Sequence, residues 1–189
     1  MKKLLFSFLA VSVIFSACEK EEEEPINNNS ELAIGDTHQG GIIFYLDSNG
    51  GGLISALDDL EGTYIWGCFG TDILGADKNA IGTGAQNTID IEAGCATSGT
   101  AADVCSNLTH EGFSDWFLPS RLELNQMYLN IGQGNALGLE NVGGFGNFNY
   151  WTSTEDGNER AWYQYFLLGN QANDGLKNQY LNVRPVRAF

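Results

Sequence analysis

Four large apolar side chains fall within six residues, and a proline and a helix-capping pattern follow at once. Phe113, Trp116, Phe117 and Leu118 precede Pro119, and Ser120-Arg121-Leu122-Glu123 comes next. So much apolar surface in so short a run belongs in a core. Pro119 interrupts any regular element running through it. Ser120 and Glu123 have the spacing of a capping box, in which the hydroxyl accepts from the N3 amide and the carboxylate reaches back to the cap amide. Leu124, Met127, Tyr128 and Ile131 recur at i, i+3, i+4 and i+7, so a helix is predicted from about Arg121 to Ile131, ended by Gly132. Every signal in this stretch is one of packing or capping, which makes it scaffold and sends the search for a site elsewhere.

The elements around it follow from local pattern. Gly41–Leu46 and Leu53–Leu57 read as a hairpin across the turn Asp47–Gly52. Residues 58–99 lose periodicity, with Trp66, Ile73, Ile81 and Ile91 scattered among Gly, Thr, Asn and Asp, and are expected to be irregular. Thr100 caps a second predicted helix through Ala101, Val104, Cys105 and Leu108, ending near Gly112. Gln133–Asn149 is a glycine- and asparagine-rich loop with Leu137, Leu139, Val142, Phe145 and Phe148 as expected anchors. Tyr150–Thr154 is a short strand. Arg160–Leu168 is apolar on both faces and therefore central in a sheet. Gly169–Gly175 is a turn. Tyr180–Phe189 is a closing strand that Pro185 places at an edge. The expected class is α+β, with two helices, an N-terminal hairpin, long loops and C-terminal strands.

The chain divides into three parts. Residues 1–17 have a basic start at Lys2 and Lys3, an apolar Leu4–Phe15 and small residues before Cys18, and resemble a lipoprotein signal peptide with Cys18 as the lipid-modified residue. An ordinary secretory signal with a cysteine nearby is the other reading. Residues 18–31 contain Glu19-Lys20-Glu21-Glu22-Glu23-Glu24 and read as an acidic flexible tether. They also resemble the acidic sorting segments of some surface-exposed bacterial lipoproteins. Residues 32–189 form the globular part. Eighteen acidic residues stand there against six basic ones, a balance near −12 out of the formal −15 of the whole chain. That field repels nucleic acid and sulfated polysaccharide. The expected address is the outer membrane, lipid-anchored and displayed at the cell surface.

Cys68, Cys95 and Cys105 permit one intrachain disulfide and one leftover thiol. Cys95–Cys105 closes the shortest loop and is favoured; Cys68 with either partner is the alternative. No enzyme is expected. His38 and His110 lie in no motif, and Ile81–Thr88 lacks the Gly-Lys-Ser/Thr ending of a phosphate loop. Glu155, Asp156, Asn158 and Glu159 are the candidate ligand-binding residues, as part of a cation or sugar site; a solvated loop is the plainer reading. No cofactor is expected, and the clustered carboxylates leave room for a structural calcium.

Six motifs appear in order: Gly40–Leu46, Trp66-Gly67, Ile81–Gly84, Asp115–Ser120 with Glu123-Leu124, Tyr150–Glu155, and Val183–Phe189. Together they resemble the domain family that includes the C-terminal domain of the Legionella collagen-like adhesin. The resemblance runs from about Ile34 to Phe189. It implies a C-type-lectin-like fold, in which the N- and C-terminal strands pair and the long loops project from one end, and a bacterial cell-surface protein of a kind that includes adhesins. The expected function is a surface-tethered module for adhesion or glycan binding, its partner a glycan or a surface protein, with the loops Gln133–Asn149 and Glu155–Glu159 as contact surface. The sulfated ligands associated with that adhesin do not suit a domain this acidic. Trp151-Thr152-Ser153 stands where calcium-dependent lectins carry Trp-Asn-Asp, without the carboxylate. The lectin-like fold also occurs in formylglycine-generating oxidases, which use a late cysteine pair; this chain has no cysteine after Cys105. A structural or assembly role in the cell envelope is the alternative function.

Overall fold

Residues 31–189 are described here from a computed structural model. The expected signal peptide, Cys18 and nearly all of the expected tether lie outside the described residues. Among the described residues no helix is long and apolar enough to cross a membrane.

The chain begins with β1 (Thr37–His38), β2 (Gly41–Leu46) and β3 (Gly52–Ala56), and ends on β9 (Val186–Ala188). These four form an antiparallel sheet in the order β1-β2-β3-β9. The two ends of the domain are therefore paired, with Ile54 opposite Arg187. Pro185 sits just before the edge strand, where a missing amide costs no ladder bond, and its carbonyl accepts from Ala56 N at 2.9 Å. A second antiparallel sheet holds β5 (Asn149–Glu155), β6 (Arg160–Tyr165) and β7 (Asn170–Leu176), with β6 central as its two-sided apolar pattern requires. A short pair joins β4 (Tyr64–Ile65) to β8 (Tyr180–Leu181).

The class is α+β, with three helices where the sequence predicts two. These are α1 (Gly84–Gly94), α2 (Ala101–Ser106) and α3 (Arg121–Ile131). Helix α3 has its predicted bounds, and both halves of the Ser120/Glu123 box form. Leu124, Met127 and Ile131 pack with Phe44, Tyr150 and Phe166 in the core between the sheets. Thr100 caps α2 by accepting from Asp103 N, but the helix stops at Ser106 instead of continuing towards Gly112.

Helix α1 lies inside the stretch expected to be irregular. Its buried positions include Asn87 and Thr88 beside Ile91, so polar residues occupy the face that periodicity reads as apolar. Their groups are used. Asn87 Nδ2 donates to Lys78 O at 2.6 Å, Thr88 Oγ1 donates to Gly84 O at 2.8 Å, and Leu118 N donates to Thr88 Oγ1 at 3.0 Å. Burying amides and hydroxyls with partners costs little.

Three further expectations are corrected. Gly169–Gly175 is not a turn: the chain turns earlier, at Gly169, whose N–H donates to Tyr165 O at 2.7 Å, and β7 follows as a polar strand with an exposed edge. The closing strand breaks into β8 and β9 around the buried Val183 and Arg184. In the 133–149 loop, Phe145 is a buried anchor, whereas Leu137, Val142 and Phe148 face solvent.

The disulfide also differs from the favoured pairing. Cys68 bonds to Cys95 with Cα atoms 5.6 Å apart, and Cys105 is a free, buried thiol. Cys105 sits on the inward face of α2 among Trp66, Ala101 and Leu118. Burial, with Glu92 adding to it, pushes that thiol well above its usual pKa. A thiol held neutral in an apolar core packs as a small hydrophobe.

Candidate functional site

The sheet β5-β6-β7 has two ends of different chemistry. At one end the β5–β6 turn carries all four residues proposed as ligands from the sequence, and the structure does not bring them together. Glu155 is 8% exposed and faces inward. Its Oε1 accepts from Ile73 N at 2.8 Å and from the buried ammonium of Lys177. Lys177 Nζ also donates to Thr71 O at 2.7 Å and lies 4.7 Å from the centre of the Trp66 ring. Burial raises the Glu155 pKa, against the lowering influence of Lys177. Glu155 therefore fastens the 66–77 loop to the sheet instead of facing a ligand. Asp156, Asn158 and Glu159 are exposed on the turn. Asp156 accepts from Asn173 Nδ2 at 3.1 Å, and the Asn158 carbonyl accepts from Gly70 N at 2.8 Å. Among the described residues no group of three or more His, Cys, Asp or Glu side chains is placed to hold a metal ion.

The other end opens into a cleft of about 490 Å³ lined by Asn149, Tyr163, Tyr165, Asn170 and Ala172. Its lining comes from all three strands. Tyr165 is paired directly with Asn149 on β5 and with Asn170 on β7, so one aromatic ring stands between two amides. Directly paired residues point to the same face. Tyr163, paired with Trp151 and Ala172, continues the row. Trp151 is fully buried and meets Tyr163 edge-on at 6.3 Å. Gly175 makes room for that contact: a Cβ there would stand 2.7 Å from Trp151 and 2.8 Å from Tyr163. Burial first, and then the neighbouring Asp174, raises the Tyr163 pKa, so its hydroxyl stays protonated.

The sequence shows Tyr163 and Tyr165 on one face of a strand apolar on both sides, and so predicts burial of both faces. The Trp162/Gln164 face is covered: Arg121 lies 3.9 Å from the Trp162 ring centre, and Gln164 donates to Asn125 Oδ1 at 3.0 Å. The tyrosine face is left open at this end. Alternating tyrosines on β6 with asparagines at the facing strand ends are the signal, and it becomes legible only once the register is known.

Two arginines tie the C-terminal segment to Asp59 and Asp115. Arg184, 1% exposed, donates to Asp59 at 2.7 Å and to the carbonyls of Ala56, Leu57 and Gly143. Asp59 also accepts from the Tyr150 hydroxyl at 2.7 Å, and burial with that carboxylate raises the Tyr150 pKa strongly. Arg187 binds Asp115 and stacks on Phe113, 4.0 Å from its ring centre.

These residues fall within a recognised domain. The family model described as the Lcl C-terminal domain matches residues 59–187, and the chain belongs to that family. The match begins at Asp59 and ends at Arg187, leaving β1, β2 and β3 outside it. No curated protein matches the chain.

Proposed function

We propose that this member of the Lcl C-terminal domain family is a surface-anchored lipoprotein whose C-type-lectin-like domain is a non-catalytic adhesion or glycan-binding module. The observation that carries the reading is the open, uncharged cleft on β5-β6-β7. It offers aromatic faces and amides for binding, and no nucleophile paired with a base. The lectin-like assignment is supported by the pairing of β9 with the N-terminal hairpin. The pattern ending at Cys18 supports lipid anchoring at the outer membrane. No cofactor is proposed. With Glu155 turned inward, calcium has at most a structural part.

A glycan array probed with the full-length protein in detergent, with and without calcium, tests the reading. Binding to defined glycans supports it. Silence on the array, together with one protein recovered by cross-linking on cells, sinks it in favour of an envelope assembly component. One feature favours that second reading: Leu74 is 96% exposed between the buried anchors Ile73 and Ala76. The anchor has a separate test, since Cys18→Ala should release the protein from membranes; a variant that stays membrane-bound refutes lipidation there.

A further inference from the structure

We infer that the Tyr163/Tyr165 cleft binds one uncharged pyranose unit, with the sugar ring stacked on Tyr165 and its hydroxyls bonded by the amides of Asn149 and Asn170, without a metal ion. The inference rests on the binding-module reading and names the ligand class of the same site.

The placement argues for it. Asn149, Tyr165 and Asn170 are consecutive cross-strand partners, so the two amides stand roughly 10 Å apart, two strand spacings, on either side of the ring. That span suits a single six-membered ring with its equatorial hydroxyls. Among the described residues neither amide side chain nor the Tyr165 hydroxyl has a hydrogen-bond partner, whereas Asn130, Asn135, Asn141, Asn125 and Asn87 all use theirs in the fold. An amide both donates and accepts, which matches vicinal hydroxyls that do the same. An aromatic face offers its negative π-cloud to the axial C–H face of a sugar, and an apolar contact of this kind needs no ion.

The charge pattern narrows the class. None of the five lining residues is an Asp, Glu, Lys, Arg or His. Asp174, which helps to raise the Tyr163 pKa, is on β7 outside the lining. With the domain near −12 overall, uronic acids and sulfated sugars meet repulsion and no compensating cation. A cationic ligand would find no carboxylate in the lining. Neutral sugar hydroxyls lose nothing to the field.

The test uses the full-length protein in detergent and a panel of methyl pyranosides of glucose, galactose, mannose and N-acetylglucosamine, beside their uronate and sulfated counterparts. Saturation-transfer NMR and direct titration are read with calcium and with chelator. The expected result is millimolar binding of at least one neutral pyranoside, unchanged by chelator, with saturation strongest on ring C–H protons. Tyr165→Ala should weaken it about tenfold or more, the scale of one lost aromatic contact, while Tyr165→Phe retains it. Asn170→Ala should weaken it as well, through the lost amide. Tyr165 is a half-buried surface residue, and a circular dichroism melt of each variant shows whether the fold is intact. Charged sugars binding as well as neutral ones, calcium-dependent binding, or affinity unmoved by Tyr165→Ala in a folded variant would each overturn the inference. An array hit that Tyr165→Ala leaves intact overturns the inference alone and leaves the binding-module reading standing. Silence throughout the array overturns the inference, and together with one protein recovered by cross-linking on cells it overturns the binding-module reading as well.

Discussion

Arg187 clamps Asp115 in a two-point pair, Nε to Oδ1 at 2.6 Å and Nη2 to Oδ2 at 2.9 Å. The guanidinium also donates to the Gln39 side chain at 2.9 Å and rests on Phe113. One residue of the last strand thereby holds the turn after β1 and the segment that enters Trp116. The bidentate geometry suits arginine and not lysine. The contact joins residues 72 positions apart, the last strand to the middle of the chain.

The pair carries a pH dependence. The hydrogen bond from Arg187 is the main cause holding the Asp115 carboxyl below its ordinary pKa. A carboxylate whose folded pKa is depressed adds stability above its unfolded pKa and loses it as pH falls through the folded value. Asp115→Asn removes that contribution. The melting temperatures of the two proteins should therefore differ at neutral pH and converge in acid. Glu123 and Glu155, whose folded pKa values are raised, run in the opposite sense, but both are present in each protein and cancel in the difference. Thermal melts of both proteins across the acid range check this; a gap that stays constant refutes it.

The Cys68–Cys95 bond closes a separation of 27 residues. In the chain-entropy model a loop of that length contributes about 3 to 4 kcal/mol. Cys68→Ala should lower stability by that order, and Cys105→Ala by much less, since it removes only one small buried group. Mass spectrometry of the unreduced, digested protein should show a Cys68–Cys95 peptide pair, with Cys105 alkylated only after unfolding. A Cys95–Cys105 pair would refute the assignment.

What the sequence makes legible here is local, and what it hides is long-range. Helix α3 is readable to the residue because its cap, its apolar stripe and Gly132 all lie within one window. Helix α1 is not, because Asn87 and Thr88 are buried through bonds to Lys78 and Leu118, partners that no window around them contains as a pattern. Spacing alone favours Cys95–Cys105, since the shorter loop costs less to close. The fold overrides that, because α2 turns Cys105 into the core while the chain after Trp66 brings Cys68 to Cys95. The site follows the same rule. Glu155 reads as a loop carboxylate until Lys177, 22 residues on, is seen buried against it. The cleft depends on Asn149, Tyr165 and Asn170 sharing a register that composition cannot give.

The Lys177–Glu155 pair is structural, and its loss should show as such. Both side chains are almost wholly buried, at 0% and 7% exposure. Lys177→Met leaves a buried carboxylate without its cation and should cost about 3 to 5 kcal/mol. Adding Glu155→Gln removes the stranded charge and should recover part of the loss, because Gln still offers an acceptor to Ile73 N. Urea unfolding of the single and double variants measures both effects. The double variant unfolding earlier than Lys177→Met would contradict the ion-pair account. Binding at the cleft should survive in the double variant, since the pair sits at the far end of the sheet.

Gly84 gives the least intuitive expectation. It is the first residue of α1, and inside a helix alanine is favoured over glycine by about 1 kcal/mol. Here the opposite should hold. A Cβ on Gly84 would stand 2.2 Å from Glu123 Oε2, 2.8 Å from Ser120 N and 2.9 Å from Leu118 O. Two of those atoms are backbone and cannot swing away. The third belongs to a carboxylate that accepts from Gly82 N at 2.7 Å and Gly84 N at 3.3 Å as well as from its own cap amide, Ser120 N, at 2.7 Å. Glu123 is thus both the cap of α3 and the anchor of the turn that starts α1, and it is fully buried with amide donors as its compensation. Moving it to admit a methyl group breaks several of those bonds at once. Gly84→Ala should therefore lower stability by about 1 to 3 kcal/mol, the cost of overpacking, and not raise it. A melting temperature equal to or above that of the parent would show that α1 and α3 do not meet through Glu123.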